Sequence, residues 1–118
     1  MDDQLYTYRA KIVSVYDGDT VHADIDLGLS TWIKAEKLRL ARINAPELRG
    51  PERDKGLVAR DFLRQKILDQ QVIVETIKDK KGKFGRYIAE IWLKNEQGEF
   101  VNVNDIMVQA GHAVYQEY

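Results

Sequence analysis

The strongest constraint in this chain is an alternation of apolar residues that changes phase partway. Val21, Ala23, Ile25 and Leu27 alternate with His22, Asp24 and Asp26, the period of a strand with one buried and one wet face. Just upstream, Tyr8, Ala10 and Ile12 alternate in one phase, and Val13 and Val15 continue in the other. A strand that swaps its apolar face predicts a bulge or strong bend, of the kind small barrels need. Between the two strands Asp17-Gly18-Asp19 reads as a turn, with Gly18 supplying a permissive backbone.

The remaining elements follow the same logic. Residues 38–43 form a third strand, ended by Asn44-Ala45-Pro46, and Trp32 falls in the loop before it. Pro51 suits the first turn of a helix on which Val58, Ala59, Phe62, Leu63 and Ile67 share a face. Lys66 lies at the same angle, so the helix frays there or the amine snorkels outward. Residues 72–77 and 87–93 read as two more strands, with residues 78–86 a long basic loop between them. Asn95-Glu96-Gln97-Gly98 is a turn into Phe100-Val101, before a short helix with Asn104 as N-cap and Gly111 as stop. Three strands, a helix, two strands and a short C-terminal helix make a mainly β, α+β chain. That is the order of a five-stranded Greek-key barrel, the OB-fold, with its helix between strands three and four.

Composition narrows the chemistry. The chain has 118 residues, 44% of them hydrophobic, which predicts one domain over residues 1–118 with a single core. With no cysteine, thiolate metal sites, disulfides and a cysteine nucleophile are excluded. His22 and His112 are the only histidines, too few for a multi-histidine zinc site; both read as structural. No apolar run reaches membrane-spanning length. The polar start, Met1-Asp2-Asp3-Gln4, does not read as a secretory leader, which leaves a cytoplasmic and a mature secreted form equally open. The net charge is −1 and the pI about 6.1, so any nucleic-acid contact must come from a local basic patch.

Several groups stand out as candidates. Asp17 and Asp19 bracket Gly18, and Glu47 follows Asn44-Ala45-Pro46. If the end of strand three lies beside the start of strand two, oxygens from both would suit Ca²⁺, which takes six to eight oxygen ligands; otherwise Asp-Gly-Asp is a plain turn. Arg39 sits within a strand between two leucines. It must be paired, with a carboxylate such as Asp19 or Glu47, or with a phosphate as well. Arg42 reads as solvated. Residues 78–86 carry five cations against one anion with glycines and Phe84 interleaved, either a solvated loop or a strip that tracks a nucleic-acid backbone.

Taken in order, Val15-Tyr16-Asp17-Gly18-Asp19-Thr20, Leu38-Arg39-Leu40-Ala41-Arg42-Ile43-Asn44-Ala45-Pro46-Glu47 and Lys83-Phe84-Gly85-Arg86 resemble the staphylococcal nuclease (thermonuclease) family. The resemblance extends from about Tyr8 to Tyr115. It implies an OB-fold that hydrolyses DNA and RNA, preferably single-stranded, with Ca²⁺, leaving 3′-phosphate ends, and acting as a monomer. It further implies Asp19, Asn44 and the Ala45 carbonyl as metal ligands, Glu47 as the group that orients or deprotonates water, and Arg39 and Arg86 as the phosphate clamp. Lys83 would hold a terminal phosphate, with Phe84 and Tyr115 against the base and Tyr118 behind them. Two departures are visible. Asn44 stands where the family usually has an aspartate, and Phe84 where it often has a tyrosine. A noncatalytic barrel that binds nucleic acid or protein is the alternative that Asn44 raises.

Overall fold

The computed structural model describes residues 6–81 and 85–116. Strand β1 (Thr7–Asp17) pairs antiparallel with β2 (Thr20–Asp26), and β2 with β3 (Trp32–Leu40). On its other side β1 pairs with β5 (Gln71–Lys81), which pairs with β6 (Tyr87–Lys94). A short parallel ladder, Leu38–Leu40 of β3 against Tyr87–Ala89 of β6, closes these five strands into a barrel. The closed barrel with its two helices is the expected OB-fold.

The change of phase is where the sequence places it. The β1–β2 register slips between Ile12 and Ser14, leaving Val13 as the extra residue. Ala10 and Ile12 point inward before the slip and Val15 after it. The bulge lets β1 keep its apolar side on a curved core.

The third strand departs from expectation. It begins at Trp32, so that residue belongs to β3 rather than a loop, and it ends at Leu40. Arg42 has φ +68, a left-handed backbone that an extended strand cannot continue through. The chain resumes as the two-residue β4 (Ile43–Asn44), which pairs with β8 (Val114–Tyr115). β5 likewise runs to Lys81, so the first four residues of the expected basic loop, 78–81, are strand.

Pro51 lies in a 3₁₀ turn, Gly50–Glu52, that leads into α1 (Arg53–Ile67). α1 seats Gly56, Ala59, Leu63 and Ile67 against the barrel, with Leu63 and Ile67 wholly buried beside Ile12, Leu40 and Ile43. Burial of each such side chain contributes about 1.5–3 kcal/mol. Val58, expected on this face, is 57% exposed. Lys66 snorkels, its Nζ 5.7 Å from the Phe62 ring centroid, and the helix does not fray there.

β7 (Phe100–Asn102) pairs with β6 and leads into α2 (Val103–Gln109). The N-cap is Asn102, whose side chain accepts from the Asp105 N–H at 2.9 Å, not Asn104. Asn104 is buried inside the helix. Its Nδ2 donates to the carbonyls of Ala41 and Ala89, each at 3.0 Å, and its Oδ1 accepts from the Ile91 N–H. A buried amide satisfied on both ends fixes how α2 docks. Gly111, with φ +81, stops the helix as expected. No helix among the described residues is long and apolar enough to cross a membrane.

Candidate active site

The β1–β2 turn and the end of β3 meet at one rim of the barrel. The Leu40 N–H donates to the Asp19 carbonyl at 2.8 Å, locking the turn onto β3. Asp19 is 6% exposed, and one side-chain oxygen accepts from the Ala45 N–H at 2.8 Å. The same oxygen lies 3.3 Å from Arg39 Nη2. The other accepts from the Thr20 hydroxyl at 3.2 Å. Thus Asp19, Arg39 and Ala45 come together at this rim, with Ala45 engaging Asp19 through its N–H.

Arg39 is also 6% exposed, and its Nη1 donates to the Leu40 carbonyl at 2.8 Å. The planar fork is therefore oriented before any ligand arrives. Arg86 comes one residue before Tyr87, the residue of β6 that pairs with Leu38. The closing ladder thus sets Arg39, within β3, against the strand that Arg86 immediately precedes.

The second carboxylate of the turn is the unsettled one. Asp17 accepts from the Asp19 N–H at 3.0 Å. Its pKa is pushed up to about 6, first by burial and then by the charge of Asp19 beside it. Two carboxylates share this turn, and the adjacent guanidinium lies on Asp19. Excess negative charge on hard oxygen donors is what a divalent cation neutralises.

Gly18 supports the turn for a reason the sequence does not announce. Its φ is not in the left-handed region, so conformational freedom is not its role. A Cβ there would lie 2.7 Å from the Ala45 Cβ and 2.9 Å from the Ala59 Cβ. Only glycine lets the turn pack this tightly between the segment after β4 and α1. Gly56 does the same for Glu47: a Cβ on Gly56 would collide with the Glu47 carbonyl. The sole sequence hint was a glycine on the inward face of an otherwise good helix.

Asn44 and Glu47 are less confined. Asn44 pairs across to Val114 and is exposed. Glu47 is exposed, with its backbone N–H 3.5 Å from Glu52 Oε1. Among the described residues no group of three or more His, Asp or Glu side chains forms a ready metal cage. Tyr115 donates its hydroxyl to Asp105 at 2.9 Å, and the Arg42 guanidinium lies 5.8 Å from its ring centroid. Lys83, Phe84 and Tyr118 lie outside the described residues.

Arg42 is not simply solvated. It makes a two-pronged contact with Glu90, at 2.6 and 2.9 Å, and reaches Asp105 at 3.0 Å. These bonds raise its pKa, the Glu90 contact most of all. His112 is structural, its ring 4.5 Å from that of Phe62.

A family model described as staphylococcal nuclease homologue matches residues 37–118. The chain is 33% identical over 89 residues to a thermonuclease of Staphylococcus hyicus, a match spanning 73% of this chain and 49% of the relative. It is 32% identical over 85 residues to a thermonuclease of Staphylococcus intermedius, spanning 70% and 47%. An uncharacterised protein of Methanocaldococcus jannaschii is 27% identical over 127 residues, spanning 90% of this chain and 58% of that protein. The chain spans about half the length of these relatives. A buried Asp19–Arg39 pair in a five-stranded barrel and a family match across most of the chain lead to one conclusion: this chain belongs to the staphylococcal nuclease homologue family.

Proposed function

We propose that residues 1–118 form a single Ca²⁺-dependent nuclease domain that hydrolyses phosphodiester bonds of DNA and RNA, leaving 3′-phosphate ends. The observation that carries this reading is the buried Asp19–Arg39 pair held beside a second carboxylate, Asp17. Such a pair is a poor way to stabilise a core, because desolvation offsets most of its attraction. Its use is to hold charge in place for a ligand.

The roles follow from the chemistry. The oxygens of Asp19, with Asn44 and the Ala45 carbonyl, would hold Ca²⁺, and Asp17 lies beside them. When bound, that ion supplies positive charge against the phosphoryl oxygens. Glu47 takes the proton of the attacking water as its oxygen bonds to phosphorus. The bond from phosphorus to the 5′-oxygen breaks, and that oxygen collects a proton from solvent. Arg39 and Arg86 donate to the non-bridging oxygens, whose charge grows as the five-coordinate state forms. Arg39 is already oriented by Asp19 and the Leu40 carbonyl, so its dipole needs no rearrangement during the step. Lys83, Phe84 and Tyr115 would hold the flanking nucleotide.

Asn44 supports a second reading. A neutral amide in place of a carboxylate weakens Ca²⁺ binding through lost ligand charge, and a barrel without metal would bind nucleic acid and leave it whole. Single-stranded DNA incubated with millimolar Ca²⁺, beside a chelated sample, separates the two. Calcium-dependent loss with 3′-phosphate ends supports the nuclease. Intact DNA from folded protein in both samples supports the binder.

A further inference from the structure

The outer wall of the barrel carries a groove of about 630 Å³ that shares no residue with the candidate active site. It crosses β1, β2, β3 and β5 and reaches Phe100 of β7. Two aromatic side chains lie on it, Trp32 at 45% and Phe100 at 51% exposure. Exposing two large rings on one concavity forgoes burial that the core would reward.

The charge of the groove is opposite in sign to that of the chain. Arg9, Lys11, Lys34 and Lys94 line it against two carboxylates, Asp24 and Asp26, in a protein whose net charge is −1. Both carboxylates are already engaged. Asp24 accepts from the Ala35 N–H at 2.8 Å and pairs with Lys34 at 3.5 Å, and the backbone bond first of all holds its pKa down. Asp26 accepts from the Gly28 N–H at 2.8 Å. No carboxylate among the described residues forms a salt bridge with Arg9 or Lys94. Lys34 Nζ stands 5.3 Å from the Trp32 ring centroid, a cation and a π-face offered together.

We propose that this groove binds single-stranded nucleic acid, its bases stacking on Trp32 and Phe100 and its phosphates following the cationic side chains. Sequence-tolerant single-strand binding uses this pairing of aromatic platforms with positive charge. Asp26 pairs with Arg9 and Trp32, whereas Thr20 at the other end of β2 adjoins Asp19. Four residue steps along β2 separate Asp24, the nearest groove residue on that strand, from Thr20 beside the turn, about 13 Å. A strand held in the groove would thus flank the turn without occupying it. Binding here does not depend on the chain cutting what it binds.

The test is fluorescence anisotropy of a labelled oligothymidylate of about ten nucleotides, within the site sizes known for OB-folds, with chelator present throughout. Trp32→Ala and Phe100→Ala should each weaken binding by roughly five- to a hundred-fold. Trp32→Phe and Phe100→Tyr should restore most of it. Lys94→Ala should reduce the salt slope by about one. Unchanged affinity in both alanine variants would overturn the proposal. So would displacement of the oligonucleotide by an equal concentration of polyglutamate, which would assign the groove to acidic proteins. Because no metal is present, the result is independent of whether the protein hydrolyses DNA.

Discussion

Two clusters in this barrel set a pair of carboxylates around one arginine, yet their charges are balanced differently. Around Arg42, Glu90 and Asp105 both reach the guanidinium, and Tyr115 donates to Asp105 as well. Burial pushes the Asp105 carboxyl up, but the Arg42 and Tyr115 hydrogen bonds outweigh it and leave its pKa lowered. Around Arg39, the guanidinium lies on Asp19, and Asp17 is left against its neighbour with its pKa raised. The first cluster is satisfied and acts as scaffold, clamping the break between β3 and β4 to α2. The second is frustrated, because Asp17 is partly buried beside a like charge. Charge count alone does not distinguish them; geometry and burial do.

The largest expected effect falls on the buried cluster. Arg39→Ala strands Asp19 in the interior and should lower the unfolding free energy by about 3–5 kcal/mol, read by urea denaturation. Arg42 is half exposed, so Arg42→Ala should cost about 1 kcal/mol or less. Equal losses would erase the contrast. Next, Glu47→Gln should cut turnover by about a hundredfold or more with the thermal midpoint unmoved; an unchanged rate would remove Glu47 from the reaction. Gly18→Ala forces a methyl group against Ala45 and Ala59 and should destabilise by about 1–3 kcal/mol.

A smaller effect tests the frustration itself. Asp17 carries a folded pKa of about 6 against an ordinary 3.8, so the folded state holds its proton more tightly than the unfolded chain. Stability should therefore fall as pH rises through that window. Asp17→Asn should flatten that part of the profile and raise stability at neutral pH by about 1 kcal/mol after solvent screening. Asp105→Asn should act with the opposite sign, losing stability that the wild type has at neutral pH and surrenders on acidification. Asn44→Asp should tighten Ca²⁺ in a calorimetric titration; unchanged affinity would place residue 44 away from the ion.

The contrast also explains what could be read from the chain. The barrel was legible because apolar alternation and its slip at Val13 are local signals that tertiary packing merely reinforces. That Arg39 needs a partner was legible because an arginine between two leucines of a strand cannot be left unpaired, but the choice of Asp19 over Glu47 came only with the fold. The break at Arg42 was not, since a left-handed arginine has no sequence signature and is held by Glu90 and Asp105 from distant elements. Asn104 looked like a cap because caps favour asparagine; its real partners lie on β6 and beside β4. The outer groove was invisible because Trp32 and Phe100 are far apart in the sequence, and only the folded sheet brings them to one wall.

The three rungs that close the barrel, residues 38–40 against 87–89, join segments remote along the chain, and entropy resists bringing such segments together. This seam is therefore the place where the cylinder is most easily imagined opening. Arg39 lies within it and Arg86 at its lip. An anion grasped by both would act as a rivet across the seam, so that holding a phosphate and keeping the cylinder shut become one event. In that sense a bound ligand would also favour the closed cylinder over the open one.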